Sequence, residues 1–389
     1  MDWIRFNEPY GDEEIFKRAT DVSRRSLFES DIIEEMLQRR LSSIDLYSVE
    51  KSPFFMQSGT AALEVMALAM DFRPGDEVII PSFTYPATAN AFLRAGASLV
   101  FADIEQDTLN LDPKSVERVI TKRTRAIVPI HYGGVAADMS SLQQLAARCG
   151  AVLLEDAAHC IGASYMGKAL GTFGAMGAVS FHSSKNVTSA GLGGCLFVKD
   201  ENQRCDVSEI IYQGTDRVAY RQGRVSSYRW KRPGGEYQMP SFSMAYLEAS
   251  LGRLHEVTRR RREIWYMYHD RLSNLEAEGD LRLCRVPDGA DINGHVFYIL
   301  LNDRKERDGL KAHLHERKIE AFTHYEPLHD TGIGRKSGRC EGDMNVTNSV
   351  AGRILRLPMQ MGLSDKDVER VCKSIFGYFC KDDQKTEIS

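Results

Sequence analysis

No stretch of the chain is apolar over the roughly 18 residues that suggest a membrane span, and residues 1–14 are acidic, without the basic and apolar segments of a signal peptide. The expected location is therefore the cytoplasm. Cysteine is present without a pattern: the eight residues include no C-x-x-C pair, so no metal is assigned and no disulfide framework is expected. Neither sign of charge dominates. Lys and Arg number 50 against 54 Asp and Glu, a net −4, which argues against a general nucleic-acid binder and requires any anionic ligand to be held locally. Repeats and low-complexity tracts are also missing. What remains is 389 residues, 43% apolar and 27% charged, enough for a large core and for two domains.

Between about residues 58 and 200, short apolar or β-branched runs (78–80, 99–103, 126–130, 152–155, 178–181 and 195–198) alternate with helical patterns. This predicts an α/β fold with a mostly parallel central sheet. The helices carry their own punctuation: Pro86 opens one that Gly96 closes, Asp112-Pro113 starts another, and Asp138 caps a third that ends at Gly150. From about 245 the texture changes to long charged helical stretches and a strand candidate at 296–301. A final helix follows, with a capping box at Ser364 and Asp367 and one apolar face formed by Val368, Val371, Cys372, Ile375, Phe376 and Phe379. A large domain over 1–245 and a smaller α+β domain over 246–389 are expected, with a frayed polar tail at 381–389.

Three local features carry chemistry. Ser58-Gly59-Thr60 starts a helix that is apolar nearly all round; its exposed N–H groups and hydroxyls suit a phosphate, although an ordinary N-cap reads the same way. The apolar run from Ala151 ends in Glu155-Asp156, with His159 three residues past the Asp; a carboxylate at a strand's carboxyl end needs a cationic partner or a structural turn to cap. In Ser180-Phe181-His182-Ser183-Ser184-Lys185-Asn186 a lysine leaves a strand among hydroxyls, ahead of glycines 191–194. Such a lysine can form a Schiff base if its surroundings help it lose its proton. Together these supply an anion cradle, a counter-charge for a ring nitrogen and an aldehyde-capturing amine, the three needs of pyridoxal 5'-phosphate. Tyr85 adds a ring that could stack on the cofactor or pack in the core.

These motifs, with Gly75-Asp76-Glu77-Val78-Ile79-Ile80-Pro81 ahead of Tyr85, resemble the DegT/StrS-type nucleotide-sugar aminotransferases of fold type I. Within that family, residues 128–136, 214–217, 324–329 and 355–358 are most similar to the dTDP-4-amino-4,6-dideoxygalactose transaminases. The resemblance implies a large α/β domain with a smaller α+β domain, and a homodimer with shared active sites. It implies that Lys185 carries the Schiff base and shuttles the proton, that Asp156 pairs with the ring nitrogen, and that His159 stands near the ring hydroxyl. Gly59, Thr60 and Ser180 would hold the phosphate, Tyr85 would stack, and Gln238 would reach the partner subunit's phosphate. The implied substrates are a nucleotide-linked 4-keto-6-deoxyhexose and L-glutamate; a 3-keto-sugar transaminase and a non-catalytic cofactor-binding regulator are the alternatives. Leu192 and Ser241 stand where the family usually carries acidic residues.

The stretch from Arg217 to Arg232 interleaves basic residues, among them Arg224, with Tyr220, Tyr228 and Trp230, which suits a nucleotide diphosphate as well as a solvated loop. His324 and His329, either side of Pro327, are candidates for the sugar pocket or for stabilising a turn. Arg259 to Arg262 read as an exposed, salt-bridged helix face.

Overall fold

Strongly β-branched segments flanked by turn residues form the centre of the molecule. The computed structural model describes residues 2–26, 30–47 and 52–380; the tail at 381–389 lies outside the described residues. Its main sheet comprises β1 (Phe54–Met56), β2 (Glu77–Pro81), β3 (Ser98–Ala102), β4 (Thr124–Ile127), β5 (Val152–Asp156), β6 (Met176–Ser180) and β7 (Gly194–Val198). A smaller sheet contains β8 (Leu281–Leu283), β9 (Tyr298–Leu301) and, later in the chain, β11 (Ile354–Arg356), while β10 (Gly338–Cys340) returns to the main sheet. The main sheet's order is β1-β7-β6-β5-β4-β2-β3-β10, parallel from β6 to β10, with β7 alone running the other way and pairing antiparallel with both β6 and β1. The small sheet is antiparallel throughout, in the order β8-β9-β11.

The six expected strands of the main sheet are present. β4 stops at Ile127 rather than at 130 because Pro129 has no N–H to donate, although its carbonyl still accepts from Asp156 N at 3.0 Å. The helix caps also follow the sequence: Ser58 accepts from Ala61 N, Asp112 and Asp138 cap their helices, Gly150 ends the third in the left-handed region, and Ser364 and Asp367 close their capping box. Helix Gly59–Leu68 buries seven of its ten residues, so it is wedged between the sheet and helix Pro86–Arg94 with its first turn facing the carboxyl ends of the strands.

Sequence periodicity gave no sign of β10. Its residues Gly338 and Arg339 are only partly buried and Cys340 is exposed, and they extend the sheet because Gly338 sits against Phe101, where a Cβ would come within 2.5 Å of the ring. Arg339 then spans both oxygens of Glu77, at 3.2 and 3.0 Å, and donates to Val119 O. Glu77 is 2% exposed. Burial would raise its pKa, but Arg339, Thr121 and Arg123 hold the carboxyl down at about 2. The amino-terminal segment makes a second long-range tie, since Ile4 pairs with Lys318 and Glu320, and Phe6 O accepts from Met359 N.

Replacing Arg339 with Met should cost about 1–3 kcal/mol of stability at neutral pH, measured as the shift of the denaturant midpoint. Because the Glu77 pKa is depressed in the folded state, this contribution is complete above pH about 4.5 and is lost as pH falls toward about 2. A variant with the wild-type midpoint at neutral pH would contradict the assigned role of this tie.

Candidate active site

Parallel strands deliver their carboxyl ends to one edge of the sheet, and there the chain encloses a cavity of about 540 Å³. Gly59 and Thr60 line it from the first turn of their helix, Ser180 from the end of β6, and Asp156 from the end of β5. The backbone approach at the helix start is close: a Cβ on Gly59 would fall 2.7 Å from Ser180 Cβ, and one on Gly194 would fall 2.5 Å from Gly59 N. Only glycine allows these three elements to meet, and the meeting leaves helical N–H groups beside the Ser180 hydroxyl, a cradle fit for a phosphate.

Asp156 is 6% exposed. One oxygen accepts from Thr88 Oγ1 at 2.6 Å and the other from Ala158 N at 3.1 Å, and no cationic side chain among the described residues bonds to it. Glu155, its neighbour, points the other way: it accepts from His131 Nε2 and from the N–H groups of Gly171 and Gly174, which anchors the strand end. Lys185 lies on the turn after β6, where its N–H donates to His182 O. Burial lowers the Lys185 pKa to about 8 against the attraction of Asp156, so the amine is available to an aldehyde near neutrality.

Histidines wall the cavity. His159 Nδ1 accepts from Gly133 N at 3.2 Å, which leaves the ring proton on Nε2, and its ring lies 4.5 Å from that of His295. Asn186 donates its amide to Asn293 O, so its oxygen receives the proton of His295 Nδ1 at 2.9 Å. His324 Nδ1 meets the Tyr132 hydroxyl and its ring stacks on Tyr325 at 3.9 Å. Burial, with nearby positive charge, holds all three rings neutral. Tyr85 is 63% exposed at the mouth, 6.5 Å from Tyr325 between ring centres.

The sequence-derived residues thus divide. Gly59, Thr60, Tyr85, Asp156, His159, Ser180, Lys185 and His324 line one cavity, with Leu192 at its edge. Arg217, Arg224, Gln238 and His329 do not line it in the same chain. Arg217 lies 5.2 Å over the Tyr212 ring, Gln238 bridges to the Met56 backbone and bonds Tyr212, and His329 engages Ser82 through both its ring and its N–H. Phe6, Asn7, Thr88, His295, Tyr325 and Arg356 also line the cavity and were not identified as site residues from sequence. Arg356 was visible only as part of a motif; Phe6 and Asn7 carried no local signal.

The DegT/DnrJ/EryC1/StrS aminotransferase family model matches residues 13–376. The chain belongs to this family. Enzymes of the family depend on pyridoxal phosphate, and the glycine-lined cradle, the buried uncompensated Asp156 and the Lys185 amine fit that group's phosphate, ring nitrogen and aldehyde. This aminotransferase is 32% identical over 369 residues to a protein of Geobacillus stearothermophilus named pleiotropic regulatory protein, covering 94% of each chain. Among solved structures it is similar to the aminotransferase TlmJ of Streptoalloteichus hindustanus, with 25% identity, a TM-score of 0.86, and 97% and 99% of the two chains covered. It is also similar to DesV of S. venezuelae, solved in complex with a ketimine intermediate, with 27% identity, a TM-score of 0.81, and 97% and 99% coverage.

The rate at which the cofactor-free aminotransferase captures pyridoxal phosphate should rise about tenfold per pH unit up to a plateau beginning near pH 8, since only the neutral Lys185 amine attacks. Stopped-flow absorbance measures it. A rise continuing to about pH 10 would show an ordinary, solvated lysine.

Proposed function

We propose that the chain transfers an amino group from L-glutamate to C4 of a nucleotide-linked 4-keto-6-deoxyhexose, taking dTDP-4-keto-6-deoxyglucose to dTDP-4-amino-4,6-dideoxygalactose. The observation that carries the reading is the joint presence of Lys185 and Asp156 in a cavity that also holds a helix start fit for phosphate. Pyridoxal phosphate supplies, when bound, the carbonyl that takes up the amine and a protonated ring that accepts electron density. Around it, Asp156 holds the proton at the ring nitrogen, with Thr88 and the Ala158 N–H fixing both carboxylate oxygens. His159, whose Nδ1 accepts from Gly133 N, would present its Nε2 proton to the ring's hydroxyl. Gly59, Thr60 and Ser180 would hold the phosphate, and Tyr85, at the mouth, would cover the ring.

Lys185 Nζ removes the α-proton of the donor and returns a proton to the accepting carbon, then runs the same transfer in the opposite sense for the sugar. Water releases the donor as 2-oxoglutarate, supplying its keto oxygen, and the sugar's carbonyl oxygen leaves as water in the second half-reaction. Gln238, Arg217 and Arg224 are outside their own chain's cavity, and we assign them to the partner's cavity in a homodimer with shared sites, Gln238 to the phosphate and the arginines to the diphosphate of the nucleotide. Transamination at C3 is the closest rival. The name of the Geobacillus relative favours a second reading, a regulator that binds the cofactor without turnover; the lowered Lys185 pKa argues for catalysis.

Borohydride should fix the cofactor to Lys185, and Lys185→Ala should abolish turnover without unfolding the protein. Mass spectrometry mapping the adduct to another lysine would overturn the assignment. With glutamate and dTDP-4-keto-6-deoxyglucose, NMR of the product should show a 4-amino sugar of galacto configuration; turnover of a 3-keto isomer alone would move the chemistry to C3, and no turnover of either sugar would favour the regulator.

A further inference from the structure

Arg356 ends β11 in the small sheet and reaches the same cavity as Lys185 from the opposite domain. One of its amino groups donates to Thr323 O at 3.2 Å and the Phe6 ring lies 4.6 Å from the guanidinium carbon. Its Nε is buried without a hydrogen-bond partner, and no carboxylate among the described residues bonds to it. A guanidinium placed in this way is costly unless an anion completes it, and its planar fork matches a carboxylate. With His159, His295 and His324 held neutral and Lys185 reacting as the free amine, Arg356 supplies the lasting positive charge of the cavity wall.

We propose that Arg356, seated on Phe6, is the subsite for the α-carboxylate of the amino donor. An α-amino acid carries its carboxylate one carbon from the nitrogen that must reach the reacting centre, so an anion holder on the wall of the Lys185 cavity suits it. The diphosphate of a nucleotide sugar lies several bonds from the reacting ring carbon and calls for cations nearer the mouth. This inference rests on the transaminase reading and adds a donor contact to it.

The test uses holoenzyme and two donors, L-glutamate and its α-amide, L-isoglutamine. In the donor half-reaction the wild type should favour glutamate by about 100-fold in kcat/KM, and Arg356→Gln should erase that preference by lowering the glutamate value alone. Arg356→Lys, which keeps the charge and loses the fork, should fall between. The keto-sugar half-reaction should change by less than about threefold. Glutarate binding, read by calorimetry, should weaken at least about tenfold in Arg356→Gln and reports on the subsite even without turnover. The subsite is overturned by a wild type that accepts both donors equally, by equal losses on both donors, by unchanged glutarate binding, or by a loss confined to the sugar step. Failure of every amino donor with the wild type, alongside intact, Arg356-dependent glutarate binding, would instead remove the transaminase reading and leave the anion subsite standing.

Discussion

A carboxylate that is 6% exposed and bonded by a hydroxyl and a backbone N–H, yet by no cation of the described chain, needs a positive partner from whatever fills the cavity beside it. Asp156 is that carboxylate, and much of the surrounding architecture serves to keep it there. Glu155 ties the strand end to the Gly171–Gly174 loop and to His131, Pro129 ends the neighbouring strand while still accepting from Asp156 N, and Thr88 comes from the helix that Tyr85 and Pro86 start. In the proposed reaction this fixed negative charge is what holds a proton on the ring nitrogen.

The rest of the cavity lining works by a different balance. Burial removes the proton from three histidines and loosens it from Lys185, so positive charge in the cavity rests with Arg356. The wall is assembled from distant parts of the chain: Ile4 and Phe6 bond to the backbone of residues 318, 320 and 359 and bring Phe6 against Arg356, while Asn293 joins the segment of His295 to the loop carrying His159. Residues of the small sheet and of the amino-terminal segment thereby bear directly on a cavity that the main sheet's strand ends also line.

What could be read in the sequence is what local chemistry marks. A small-residue helix start, a strand ending in Asp and a lysine after a strand each announce themselves within a few residues, so Gly59, Asp156 and Lys185 were legible, as were the helix caps. Arg356, His295 and Phe6 sit in ordinary-looking segments and acquire meaning only from neighbours tens to hundreds of residues away. β10 was invisible for the same reason, since three polar or small residues become a strand only when Phe101 and Glu77 receive them. Composition drew attention to the arginines at 217 and 224, but it carries no information about which cavity they face.

The most direct test of the account is the protonation state that Asp156 is said to enforce. Holoenzyme carrying ring-¹⁵N-labelled cofactor should show a protonated pyridine nitrogen by NMR from about pH 6 to 9 in the wild type, and an unprotonated one in Asp156→Ala at the upper end of that range. A ring nitrogen that titrates identically in the two proteins, or is unprotonated in the wild type at neutral pH, would contradict it.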